Sequence, residues 1–199
     1  MKPAPPSVLR RLKRRLAPIA LLLLSAHEYR CAAYAQTGGL SEDQIKAGFL
    51  LNFLRFVQWP DASYVTRSAP ISVCIVGHNS MSAVLSEAVS GKEVDGHAIR
   101  VKLTKASDDL RTCHLVFVGS ADERHTSQIL DSLKGNSILT VGEYSSFAKS
   151  GGMLNFYTEE NKVKLEMNLD AATRANLRIS AKLIAVSHLI STKPAAKGL

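Results

Sequence analysis

The residues of this chain whose side chains can do chemistry beyond packing are few: three cysteines and six histidines in 199 residues. Cys74 lies inside the run Ile71-Ser72-Val73-Cys74-Ile75-Val76, and Cys113 opens Cys113-His114-Leu115-Val116-Phe117-Val118; both runs read as buried strands. If those strands are neighbours, as consecutive parallel strands of an α/β sheet often are, the two Cα atoms come within the roughly 4.4–6.8 Å that a disulfide needs. Closing a loop of about 40 residues would remove chain entropy worth on the order of 4 kcal/mol. The alternative is a pair of free buried thiols. A metal site built from Cys74, His78, Cys113 and His114 is disfavoured. The Cys-x3-His spacing is loose, and the adjacent Cys113 and His114 point to opposite faces of a strand. No G-x-S-x-G, H-E-x-x-H, S-x-x-K, G-x-G-x-x-G or P-loop sequence occurs, and His78, His97, His114, His125 and His188 are scattered. The sequence therefore gives no positive reason to expect catalysis, a metal or a cofactor.

The net charge of +8 and a pI near 9.5 suggest a nucleic-acid binder until the charge is located. Lys2, Arg10, Arg11, Lys13, Arg14 and Arg15 stand ahead of the apolar run Leu16 to Ala26, which is followed by Ala33-Tyr34-Ala35. A basic segment, an apolar run shorter than the roughly 20 residues of a spanning helix and a small-x-small site together predict a secretory signal peptide over 1–35. The mature chain, 36–199, then carries 18 basic against 16 acidic side chains. That balance leaves no basic footprint for DNA or RNA. Export also favours pairing of Cys74 with Cys113, since Cys31 leaves with the signal and an even number remains.

The elements that must hold these residues follow from pattern. Ser41 and Gln44 form a capping box for a helix running to about Phe56, with Ile45, Phe49, Phe53, Phe56 and Val57 as its apolar stripe. Asn52 falls on that stripe and is expected to be buried and hydrogen-bonded. Trp59-Pro60 ends the element, with Trp59 expected as a lid on the core. Strands are predicted at 71–76, 99–103, 114–118 and 137–141, and helices near 81–89 and 126–133. That order argues for one α/β domain, a mostly parallel, Rossmann-like sheet flanked by helices, with its core over about 40–191. Met153 to Tyr157 and Val163 to Asn168 read as a C-terminal β-hairpin, and Ser180 to Ser191 as a final, nearly all-apolar helix expected to be buried. Thr192 to Leu199 reads as a frayed tail. Three strands end alike, at Gly77, Gly119 and Gly142. In a parallel sheet such ends share one edge, where a ligand crevice could form near helix starts at Asn79/Ser80 and Asp122.

The run Lys46-Ala47-Gly48-Phe49-Leu50-Leu51-Asn52-Phe53, continued by Phe56-Val57-Gln58-Trp59-Pro60, resembles the opening signature of the YfiR-like periplasmic regulators. Similar resemblance runs through Ile71 to Gly77, through Leu139 to Gly142 with Phe147, and through Gly151-Gly152-Met153-Leu154-Asn155-Phe156. It continues in Asn168-Leu169 and Ile179 to Leu183. The resemblance implies a non-enzymatic periplasmic protein that binds the periplasmic domain of an inner-membrane diguanylate cyclase and represses it, lowering cyclic di-GMP and biofilm formation. It implies sequestration by an outer-membrane OmpA-like lipoprotein and a homodimer. Cys74 and Cys113 fall where the family carries its main disulfide, while the region 142–151 lacks the second cysteine pair of the best-studied branch. Glu166 and Arg178 fall in the C-terminal region that the family uses for partner or ligand contacts. A small-molecule sensor or carrier using the Gly77, Gly119 and Gly142 edge is the alternative.

Overall fold

The computed structural model describes residues 39–77 and 80–191. The expected signal peptide with Cys31, the positions His78 and Asn79, and the tail 192–199 lie outside them. Helix α1, Glu42–Phe56, begins at the Ser41 capping box: the Ser41 side chain accepts from Gln44 N–H at 3.2 Å, and Gln44 Oε1 accepts from Ser41 N–H at 2.8 Å. The chain then forms β1 (Val57–Gln58), β2 (Ile71–Val76), α2 (Met81–Val89), β3 (Glu93–Val94), β4 (His97–Thr104), β5 (Leu115–Val118) and α3 (Thr126–Leu133). It continues through β6 (Leu139–Gly142), β7 (Leu154–Glu159), β8 (Lys162–Asn168), α4 (Leu169–Arg174), β9 (Arg178–Ile179), α5 (Ala181–Ala185) and β10 (His188–Ile190).

Eight strands make one sheet in the order β10-β8-β7-β6-β5-β2-β4-β3, parallel except where β7 meets β8 and β3 meets β4. Every residue of β2, β5 and β6 is buried, the signature of strands covered on both faces. One face packs Val73, Ile75, Leu115, Phe117, Val141 and Phe156 against α1, α2, α4 and α5. The other packs Cys74, Val76, Val116 and Val118 against α3, Tyr144 and Phe147. The chain is thus a mixed α/β domain with helices on both sides of a mostly parallel sheet.

The expected disulfide is formed: Cys74 of β2 is bonded to Cys113, just before the adjacent parallel strand β5, with the Cα atoms 5.9 Å apart. Three sequence expectations change. Asn52 is exposed rather than buried. The buried face of α1 is Lys46, Ala47, Leu50, Leu51, Phe53 and Leu54, so Phe49 and Phe56 sit at its margin and Asn52 beyond it. The C-terminal helix ends at Ala185 and buries only Leu183, and His188–Ile190 instead pairs with β8. The outer edge of β8 offers unpaired backbone groups, and pairing with it satisfies more of them than a further helical turn in solvent would. Finally, β3 and β4 form a hairpin around Asp95-Gly96, both at positive φ. Asp-Gly as a two-residue loop is a strong short hairpin signal that the periodicity reading passed over.

Candidate functional site

The family-signature block Gly151-Gly152-Met153-Leu154-Asn155-Phe156 has a packing explanation. A Cβ on Gly142 or on Gly152 would lie 2.2 Å from the Phe147 ring, so that ring is clasped between two residues that must lack side chains. Asn155 lies opposite Gly142 and accepts from Tyr144 N–H at 3.1 Å, which ties down the same loop. Phe156 stacks on Phe53 at 5.7 Å and meets Phe49 at 5.9 Å, joining the hairpin to α1.

The strand-end edge is held by charge. Lys46, only 8 % exposed, places its ammonium 2.8 Å from Glu143 and 2.6 Å from Glu42. Burial pulls the Lys46 pKa down, but the hydrogen bonds and charges of Glu143 and Glu42 outweigh it and leave it raised, so Lys46 stays an ammonium. Glu143 also accepts from Ser120 N–H at 3.1 Å, and Ser80 donates to Asp43. The three glycines share this edge but not one cavity. Phe147 fills the space before Gly142, Gly119 is buried, and Gly77 borders a cavity of about 610 Å³ with Lys105, Arg124 and His125. Asp122 packs where a Gly77 side chain would be and lies 3.2 Å from His125 Nδ1.

A second cavity, about 530 Å³, forms where α1 ends. The short ribbon of β1 with β9 places Arg178 opposite Gln58, and Ser180 N–H donates to Phe56 O at 2.8 Å. Trp59 follows, buried as expected, its Nε1–H donating to His114 O at 3.0 Å. Tyr64 stacks on His97 at 4.2 Å, and His97 Nδ1 lies 2.7 Å from Ala69 O. Burial raises the Tyr64 pKa, with Asp95 and Asp61 adding to it. Two flat rings, two carboxylates and the Arg178 guanidinium around one cavity suit a planar molecule bearing charged groups. Sequence reasoning singled out Arg178 and Trp59 but missed Tyr64 and His97, which lie in loop and strand-start positions with no local motif. Glu166 lies elsewhere: it is half-buried on β8, opposite Asn155 and His188, in a different sheet from Arg178.

A third concavity, about 590 Å³, runs between α1, the β7–β8 hairpin and α5, and is lined by Phe49, Phe56, Tyr157, Val163, Val186 and His188. Beside it Val186 is 64 % and Leu189 50 % exposed. An apolar concavity rimmed by Lys164 and Lys182 is a surface suited to a protein partner.

Residues 43–188, which take in all three of these regions, match the family model described as YfiR/HmsC-like. That match spans α1 from Asp43 onward, the disulfide, the glycine-clasped Phe147 and the C-terminal hairpin, and on it this chain belongs to the YfiR/HmsC-like family.

Proposed function

We propose that this protein is a non-enzymatic periplasmic regulator that binds the periplasmic domain of an inner-membrane diguanylate cyclase and keeps it inactive. The observation that carries the reading is the family match across 43–188. The concavity lined by Phe49, Phe56, Val186 and His188, with the exposed Leu189 next along the chain, supports it as the face that meets the cyclase, because exposed apolar side chains beside a groove gain most from being covered. An OmpA-like outer-membrane lipoprotein that sequesters the regulator, and a homodimer, belong to the same reading. The absence of cysteines in 142–151 leaves the Cys74–Cys113 bridge as the disulfide of the described residues. Deleting the gene in a strain that carries the cognate cyclase is expected to raise cyclic di-GMP and biofilm formation. Unchanged levels overturn the proposal.

The second reading, a sensor of small molecules, is favoured by the two ring- and charge-lined cavities at Gly77 and at Arg178. A thermal-shift screen with periplasmic metabolites tests it. Saturable stabilisation that Arg178→Gln abolishes supports a ligand in the cavity beside Trp59, and no stabilisation by any compound counts against this reading.

A further inference from the structure

The amino-terminal end of the sheet carries the largest of the described cavities, about 800 Å³, between the 60–70 loop, β4, the segment before β5 and the turn at 135–138. Its charged lining is of one sign. Among the described residues, Lys102 and Arg111 border it together with Ser63, Thr112, Ser137 and His114, and no aspartate or glutamate does. The disulfide assembles this pair of cations. Lys102 is the register partner of Cys74 in the parallel β2–β4 pair, so the two side chains leave the sheet on the same face. Cys74 is bonded to Cys113, and Arg111 stands two residues before Cys113 in a single 3-10 turn, Leu110–Thr112. The bridge therefore holds the turn that carries Arg111 one strand away from Lys102. Asp109 takes the Nε and Nη2 edge of the Arg111 guanidinium, at 2.9 and 3.1 Å, which fixes the side chain and leaves the Nη1 edge for another acceptor.

The imidazole at the floor of this region is the least satisfied group there. His114 is 7 % exposed, and its Nδ1 accepts from Ser72 N–H at 3.1 Å, so a neutral ring carries its proton on Nε2. That Nε2 is buried and has no hydrogen-bond partner among the described residues, although the nearby Ser63 backbone favours the protonated ring. On its other side His114 connects to Trp59, which donates to its carbonyl and meets its ring edge-on at 6.2 Å.

We propose that this cavity binds a small anion carrying a phosphate or carboxylate group, held by Lys102, by the free edge of Arg111 and by the surrounding hydroxyls. Lys102 supplies a point charge, and Arg111 supplies the planar fork that suits either oxyanion. The site is separate from the cavity at Arg178 and does not depend on the cyclase reading. Trp59 is the only tryptophan; it lines the Arg178 cavity and meets His114, so its fluorescence responds to either site and the variants assign the response.

The oxidised, exported protein is titrated with inorganic phosphate in one arm and with citrate in the other, at ionic strength held constant with sodium chloride, following Trp59 fluorescence and thermal midpoint. A saturable change is expected in at least one arm, and the responding arm names the anion class. Lys102→Gln and Arg111→Gln, both at exposed positions where the fold tolerates change, are each expected to weaken it at least about tenfold, while Arg178→Gln leaves it unaltered. No saturable response in either arm overturns the proposal. So does a response of equal affinity in Lys102→Gln, which would place the anion elsewhere.

Discussion

At His114 a single ring links fold stability to pH. Burial lowers its pKa, the Ser63 backbone partly offsets this, and the charges of His97 and Lys102 lower it further. The folded state therefore prefers the neutral ring, while the unfolded chain takes up a proton near pH 6.5. The stabilisation is fully present above that value and is lost as pH falls from it through the lower folded value. Thermal midpoints measured between pH 7 and 5 are expected to decline, and His114→Asn, which keeps an acceptor for Ser72 N–H, is expected to flatten part of that slope. Lys46 is the second residue of consequence. Replacing Glu143 with Ala leaves a nearly buried ammonium with Glu42 alone and removes the acceptor of Ser120 N–H. A loss of about 2–4 kcal/mol is expected in urea unfolding, because an uncompensated buried charge costs more than a missing surface pair. Neither effect is legible in sequence. Lys46 stands in an ordinary helical run with Glu42 four residues before it, and the arrival of Glu143 from a distant strand end adds the second carboxylate beside its buried ammonium.

At the scale of elements, the loop between β6 and β7 depends on the clasp around Phe147. Gly142→Ala places a methyl group 2.2 Å from that ring, and an overpacking cost of about 1–3 kcal/mol is expected from chemical denaturation. The disulfide closes a segment with a sequence separation of 39. Reduction, or paired Cys74→Ser and Cys113→Ser substitution, is expected to cost about 2–5 kcal/mol. Thiol counts before and after reduction provide the chemical check. The pairing followed from two β-rich runs and an expected export address, but the clasp did not. Gly-Gly before a strand reads as turn chemistry, and nothing local announces a phenylalanine folding back between Gly142 and Gly152.

For the whole molecule, the proposed repression turns on the apolar C-terminal face. Val186→Asp and Leu189→Asp replace exposed side chains, so the thermal midpoint is expected to stay close to that of the unaltered protein. Cyclic di-GMP in a strain complemented with either variant is expected to rise towards that of the deletion strain. Normal repression by both variants would remove this face from the cyclase contact.

What the sequence determined by itself was the set of elements whose signals are short-ranged: the capping box at Ser41, the buried runs of β2 and β5, helices 81–89 and 126–133, and the hairpin after Gly152. Capping, periodicity and turn chemistry act over a few residues, and so can be read along the chain. What only the tertiary structure decided was which faces are covered. Asn52 lies on an apolar period yet faces outward, because the sheet meets α1 along Leu50, Phe53 and Leu54. His188–Ile190 became a strand because β8 presented an open edge. Tyr64, His97, Trp59 and Arg178 surround one cavity only because β1 and β9 bring the two ends of the domain together. Burial and proximity between distant segments are properties of the packed whole, and no stretch of sequence carries them alone.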